Sequence, residues 1–280
     1  MSERLGLIAG NGRFPILLAQ GARAAGVEVV AVGFRGETSR KLAKYVTRLH
    51  WVGIARIGRW VKALKKEGVT KAVMAGGVRK ANMYTPWRLV RYLPDLRTVR
   101  FWYRTLRDKK DYTILEGLAD ELARDGIELQ NSLIYMDEHI AREGCLTKRE
   151  PTESEWADIE FGFRLAKEMA RLQVGQTVVV KEQAVIAVEA IEGSDEAIRR
   201  GGRLGRGHII VVKVSKPGQD LRFDVPTVGT NTIKTLQEAR ASVLALEADM
   251  VLMLDKPEVV AAADRAGIAI VAVKEKSRGA

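Results

Sequence analysis

Arg4-Leu5-Gly6-Leu7-Ile8-Ala9-Gly10-Asn11-Gly12-Arg13-Phe14-Pro15 is the stretch from which the rest of the chain can be read. A short apolar run ends in a Gly-Asn-Gly turn. Apolar side chains then recur at Phe14, Leu17, Leu18, Ala22 and Ala25. A brief apolar run bounded by turn residues predicts a buried strand, and the helical spacing behind it predicts a helix over 14–25.

Working outward, the pattern repeats. Strands are predicted at 27–34, 45–52 and 71–75, with a helix at 57–67 and a Gly76-Gly77 stop. Strands alternating with helices build a parallel sheet through right-handed crossovers, so residues 1–135 read as a Rossmann-like domain. The glycine turn before the first helix is where a phosphate is expected, because a helix N-terminus offers unsatisfied N–H groups and positive dipole. Gly10, Asn11 and Gly12 are therefore candidate substrate-binding residues, the alternative being a tight turn with no ligand. A dinucleotide fingerprint is not complete here. Pro15 stands where the third glycine belongs, and the second strand closes on Val32-Gly33-Phe34-Arg35 without an acid.

The 280 residues carry 46% hydrophobic and 29% charged side chains, an ordinary globular balance with room for two modest domains. No apolar run reaches the length of a membrane span, and no signal peptide is recognised at the N-terminus. The single cysteine, Cys145, excludes an internal disulfide and fits a reducing cytoplasm. The formal charge of +11 is concentrated: residues 79–110 hold ten Lys or Arg against two Asp. Such a patch predicts an anionic partner. Within it, Arg88, Arg91, Arg97, Arg100, Arg104 and Arg107 recur at helical intervals among Trp87, Tyr92, Phe101 and Trp102, with Pro94 as a break. An arm of this kind over 87–107 can lie on an anionic membrane, or its apolar face can be ordinary core. No DNA- or RNA-binding motif accompanies it, so nucleic acid is not the expected partner.

Beyond a helix at 111–124, residues 136–155 read as a linker, polar from Cys145 onward. Thr152 to Glu155 forms a capping-box pattern for a helix running to Leu172. Residues 156–280 read as a C-terminal catalytic α/β domain with a mixed sheet. Its predicted strands are 178–180, 184–190, 209–214, 250–254 and 268–273, with helices at 233–247 and 257–266.

Between these elements lies Arg222-Phe223-Asp224-Val225-Pro226-Thr227-Val228-Gly229-Thr230-Asn231-Thr232. Two readings of it stand: a loop in which Asp224 or Thr232 caps the next helix, or a loop carrying a catalytic acid. Further acids, Glu189, Glu192 and Asp195, gather near turns, and the three histidines show no metal-ligand spacing. Carboxylates without His or Cys partners suit a hard ion such as Mg²⁺. Arg199, Arg200, Arg203, Arg206, Lys213 and Lys216 are candidates to neutralise phosphates, and glycines at 201, 202, 205 and 207 would let backbone N–H groups approach them. Metal-assisted attack of water on a phosphate or pyrophosphate is the chemistry these residues favour. A nucleotide-binding oxidoreductase and a basic nucleic-acid-binding protein are the alternatives.

Three segments together resemble a known family: 5–15, then Val174-Gly-Gln-Thr-Val-Val-Val180 with Ala187-Val-Glu-Ala-Ile-Glu-Gly-Ser-Asp195, and Lys213 through Gly229. They are similar to the UDP-2,3-diacylglucosamine pyrophosphatases of lipid A biosynthesis, of the type unrelated to calcineurin-like phosphoesterases. The resemblance implies Mg²⁺-dependent hydrolysis to UMP and 2,3-diacylglucosamine 1-phosphate (lipid X), two α/β domains and a homodimer. It implies a cytoplasmic enzyme that meets its glycolipid nucleotide substrate at the inner membrane as a peripheral protein. Asp224 matches the acid whose loss disables enzymes of the family, and Gln176, Glu189, Asp195 and Thr227 match further motif positions. The implied assignment makes Asp224, Gln176 and Thr227 catalytic, gives Mg²⁺ to Asp224 with Glu189 or Asp195, and gives the diphosphate and uridine ends to Gly10–Gly12, Arg206 and Lys213. Where relatives often carry two acids, this chain has Asp111-Tyr112.

Overall fold

The structure, a computed structural model, describes residues 3–78, 93–105 and 111–275. It divides into two compact units, Met1–Met136 with Asp220–Phe223, and Asp137–Gln219 with Asp224–Ala280.

In the first unit, strands β1 (Arg4–Ala9), β2 (Glu28–Phe34), β3 (Arg48–Val52), β4 (Lys71–Ala75) and β5 (Glu128–Leu129) form a sheet of order β3-β2-β1-β4-β5. Every pairing in it is parallel. Helix α1 (Phe14–Ala24) lies between β1 and β2, and a 3-10 turn (Arg40–Lys44) between β2 and β3. Helix α2 (Ile57–Lys66) lies between β3 and β4, and α3 (Leu96–Thr105) and α4 (Asp111–Ala123) between β4 and β5, so the Rossmann-like reading of a parallel sheet with helices holds. The central strands β1, β2 and β4 are apolar and almost wholly buried after their first residue, while the edge strand β3 is only partly buried. Ile8, Val30 and Val32 pack with Trp60, Leu64 and Leu122, and the Phe34 and Trp60 rings stand 4.9 Å apart.

The basic arm is only partly within the described residues. Positions 79–92, with Arg88, Arg91, Trp87 and Tyr92, lie outside them, as does Arg107. Behind Pro94, Asp95 caps α3 by accepting from the Thr98 N–H (2.8 Å). Arg97 is held by Glu121 (2.7 Å) and by Asp125, so this charge of the arm is answered from within the unit.

Residues 220–223 belong to this first unit. Phe223 packs beside its core, Arg222 stacks over the Phe223 ring (4.9 Å to the centroid), and the Arg222 guanidinium grips Asp220. The Ser132 N–H donates to the Leu221 carbonyl (2.9 Å), and its hydroxyl lies between the Met74 and Arg222 carbonyls.

The second unit is built on a six-stranded mixed sheet of order β6-β13-β11-β9-β7-β8, from β6 (Gly144–Cys145), β7 (Thr177–Lys181), β8 (Ala184–Val188), β9 (Ile209–Lys213), β11 (Ala241–Glu247) and β13 (Ala269–Val273). β9, β11 and β13 run parallel, while β7 runs against β9 and β8 against β7. Strand β6, inside the stretch whose composition marks a linker, pairs with β13. Helix α5 (Glu153–Arg171) begins with the expected capping box, Thr152 and Glu155 satisfying each other's backbone N–H groups. It covers one face through Ile159, Phe163, Ala166 and Ala170. Helices α6 (Ser194–Gly205), α7 (Thr230–Glu238) and α8 (Lys256–Ala266) cover the other, with Ile198, Ile233, Leu236 and Val259. A separate pair, β10 (Thr227–Val228) and β12 (Leu252–Met253), runs parallel.

Two expectations change here. The helix over 233–247 ends at Glu238, Arg240 takes a left-handed conformation (φ 53°), and 241–247 forms β11 at the centre of the sheet. Along β11, Val243 and Ala245 face α5, whereas Leu244 and Leu246 face the opposite layer. Helix propensity separates ordinary residues by at most about 0.7 kcal/mol. Burying an aliphatic side chain is worth about 1.5–3 kcal/mol, so the doubly covered strand wins. Second, the glycines of 194–205 are not a phosphate cradle. A Cβ at Gly201 would meet Val179 Cγ1 at 2.6 Å, and one at Gly202 would meet the Ala239 Cα at 2.6 Å, so both admit close packing of α6.

Candidate functional site

Helix α6 leads into β9, so its N-terminus returns to the end where β9 finishes. There the Lys213 ammonium lies 3.4 Å from the Ser194 hydroxyl. Strand β7 runs against β9 and brings Thr177 into register with Lys213, and β11 supplies Leu246 on the other side. The Thr177 hydroxyl is buried without a hydrogen-bond partner among the described residues. Beside it, the Gln176 N–H donates to the Glu189 carboxylate (3.2 Å), and the Gln176 carbonyl accepts from Val214 (2.9 Å). A side chain at position 175 would collide with the Glu189 carbonyl, so Gly175 permits this approach.

Lys213 therefore stands among acids drawn from three places in the chain. Glu189, Asp195 and Asp224 all act on its charge. Burial pulls the ammonium below the usual lysine range, and the three carboxylates oppose that pull. Asp224 is exposed, with Lys216 Nζ 3.9 Å from its carboxylate. It caps no helix: α7 starts behind Gly229, whose N–H donates to Thr232 (3.3 Å). The N-cap position is Gly229, and Thr232, the third residue of the helix, accepts its N–H.

Other expected residues are placed elsewhere. Arg206 sits at the C-terminal end of α6 in a left-handed conformation. It is thus roughly 16 Å along the helix from Asp195 at about 1.5 Å per residue. Arg199 is engaged by Glu196 (2.7 Å) and Glu238 (2.9 Å), and Arg200 by Glu192 (2.9 Å) and the Val188 carbonyl (2.7 Å). Thr227 lies in the β10–β12 pair, three residues beyond Asp224. In the first unit, the Gly10 N–H donates to the Ala75 carbonyl (2.8 Å) and the Asn11 N–H to the Gly77 carbonyl (2.7 Å). Two of the donors expected for a phosphate there are already engaged. Gly12 (φ 88°) has open space around its Cα.

Among the described residues no three His, Cys, Asp or Glu side chains converge closely enough to cage a metal ion. Mg²⁺ asks for less, since one or two carboxylates suffice when waters and substrate phosphates complete its shell. The carboxylates of Asp224, Glu189 and Asp195 are donors of that kind, so the residues present fit it.

Sequence reasoning missed Thr177, Ser194 and Glu247. Glu247, at the end of β11, is buried and accepts from both the N–H and the hydroxyl of Ser215 (2.7 Å each) and from Lys167 (2.7 Å). Had 241–247 been read as a strand, an acid at its end beside the β9 exit would have been the signal.

A parallel sheet flanked by helices in one unit and a mixed six-stranded sheet in the other define a two-domain α/β protein, and in the second unit the carboxylates of Glu189, Asp195 and Asp224 act on the Lys213 charge. The family models agree along nearly the whole chain: the LpxI N-terminal domain matches residues 4–139 and the LpxI C-terminal domain residues 142–271. The chain belongs to the LpxI family. It is 33% identical over 286 residues to the UDP-2,3-diacylglucosamine pyrophosphatase LpxI of Caulobacter vibrioides, covering 99% of both chains. It is also 28% identical over 184 residues to the bifunctional purine biosynthesis protein PurH of Anaeromyxobacter dehalogenans, a likeness spanning 59% of this chain and 32% of that protein.

Proposed function

We propose that this protein is a UDP-2,3-diacylglucosamine pyrophosphatase of lipid A biosynthesis, hydrolysing its substrate to UMP and 2,3-diacylglucosamine 1-phosphate with Mg²⁺. The observation that carries this reading is the end-to-end likeness to the Caulobacter enzyme. The grouping of Lys213 with Glu189, Asp195 and Asp224 supports it from the physical side.

In this reading Asp224, with Glu189 or Asp195, holds the ion, which when bound polarises the phosphoryl oxygens and activates water. Lys213 and Lys216 answer the charge of the diphosphate. The Thr177 hydroxyl and Ser194, beside Lys213, are the groups assigned to hydrogen-bond phosphate oxygens. Gln176 holds Glu189 through its backbone N–H, fixing that carboxylate relative to Lys213. Thr227 is assigned a catalytic role by resemblance, and Arg206 and the Gly10–Gly12 turn are assigned to substrate from their residue chemistry together with the resemblance.

Incubation of the purified protein with UDP-2,3-diacylglucosamine is expected to release UMP, to stop with EDTA and to resume with added Mg²⁺. Intact substrate after long incubation with Mg²⁺ would refute the reading.

The same proposal includes attachment to the cytoplasmic leaflet and a homodimer. Leu93, Leu96, Trp102 and Tyr103 are exposed around α3, an apolar and aromatic surface beside basic residues. No helix among the described residues is long and apolar enough to cross a membrane. Co-sedimentation with anionic but not neutral vesicles checks the attachment, and light scattering checks the dimer.

A further inference from the structure

The chain leaves the second unit after Gln219 and re-enters it at Asp224, and the Gln219 side chain ties those two points together. Its carboxamide oxygen accepts from the Lys216 N–H (2.7 Å), and its NH₂ donates to the Asp224 carbonyl (2.6 Å). A backbone turn, in which Gln219 N–H donates to the Lys216 carbonyl (3.1 Å), shapes the same corner. Only this orientation of the amide pairs a donor with an acceptor at both ends, so the carboxamide is specified and not merely tolerated. The near side of the corner is anchored by Ser215, whose N–H and hydroxyl both reach the buried Glu247. The far side carries the Asp224 carboxylate beside Lys216.

We propose that Gln219 is a positioning residue for Asp224. It closes the neck of the 220–223 excursion, so the exposed Asp224 returns at a defined place relative to Lys216 and Lys213. Phe223 is held by packing on one side and Thr227 by its strand pairing on the other, and the Gln219 bond is the side-chain contact made to the Asp224 backbone itself. A misplacement of about 1 Å at a reacting group lowers turnover by about a hundredfold. This inference rests on the role proposed above for Asp224.

The test uses the full chain with UDP-2,3-diacylglucosamine and Mg²⁺, comparing wild type, Gln219→Glu and Gln219→Met. Glutamate can still accept from Lys216 but cannot donate to Asp224, and methionine keeps the length without either bond. For both variants kcat is expected to fall about 10–100-fold, with KM within about threefold and the thermal midpoint unchanged. Wild-type kcat in both variants overturns the proposal. So does a loss that tracks a lowered thermal midpoint, because that marks a structural role only. No UMP from wild type overturns the functional reading itself, and this inference with it, and the wild-type reaction reads that outcome separately.

Discussion

Thr177 and Lys213 face each other across the antiparallel β7–β9 pair, a buried hydroxyl with no hydrogen-bond partner among the described residues beside a lysine on which three acids act. Cross-strand partners share a face, so the two side chains project the same way. A buried hydroxyl at such a strand end takes its hydrogen bond from water, an ion or a ligand.

Replacing Lys213 by Met removes the charge that balances Glu189, Asp195 and Asp224. Activity is expected to fall by about 10²–10³-fold, the cost of losing one group aimed at a developing charge. Burial lowers the lysine pKa in the folded state, so the unfolded chain binds more protons between the folded value and the ordinary value near 10.4. Stability contributed by this group therefore rises with pH across that interval. Thermal midpoints of wild type and Lys213→Met, compared from pH 7 to 10, should move in wild type's favour as pH rises; parallel curves would contradict the lowered pKa of Lys213.

Asp224→Asn tests the acid in isolation. Its side chain is exposed and its ion pair with Lys216 is 3.9 Å long. The stability change is accordingly expected within about 0.5 kcal/mol. Turnover should drop by at least about 10²-fold, with an unchanged circular dichroism spectrum. Full activity would remove Asp224 from the mechanism.

Glu247→Leu addresses the buried anchor of the β9 exit. The substitution leaves Lys167 and both Ser215 donors without their carboxylate, for a loss of about 3–5 kcal/mol. The denaturant midpoint of the second unit should fall accordingly. A midpoint equal to wild type would mean that Ser215 and Lys167 find other partners.

Gly202→Ala places a methyl group against the Ala239 backbone. Overpacking of this kind is expected to destabilise the second unit by about 1–3 kcal/mol. An unchanged midpoint would show that α6 can shift away from α7 without penalty.

The sequence by itself was enough for the features that rest on neighbouring residues. In the first unit the alternation of short apolar runs with helical spacing and the Gly-Asn-Gly turn, and in the second the Thr152–Glu155 capping box, are local signals that appear where they were expected. Asp224 is different, since its neighbours allowed either a cap or a catalytic acid. The tertiary structure puts Gly229 at the cap, with Thr232 accepting its N–H, and leaves Asp224 outside the helix. Residues 241–247 defeated sequence reading because Ala, Leu and Glu favour helices, and a strand covered on both faces shows no alternation. Only the sheet, with α5 on one side and α7 and α8 on the other, made them a strand. The same holds for Lys213 and its acids. Glu189, Asp195, Lys213 and Asp224 were each visible as charged residues, but their meeting depends on strand order and register, which bring distant parts of the chain to one end of one sheet.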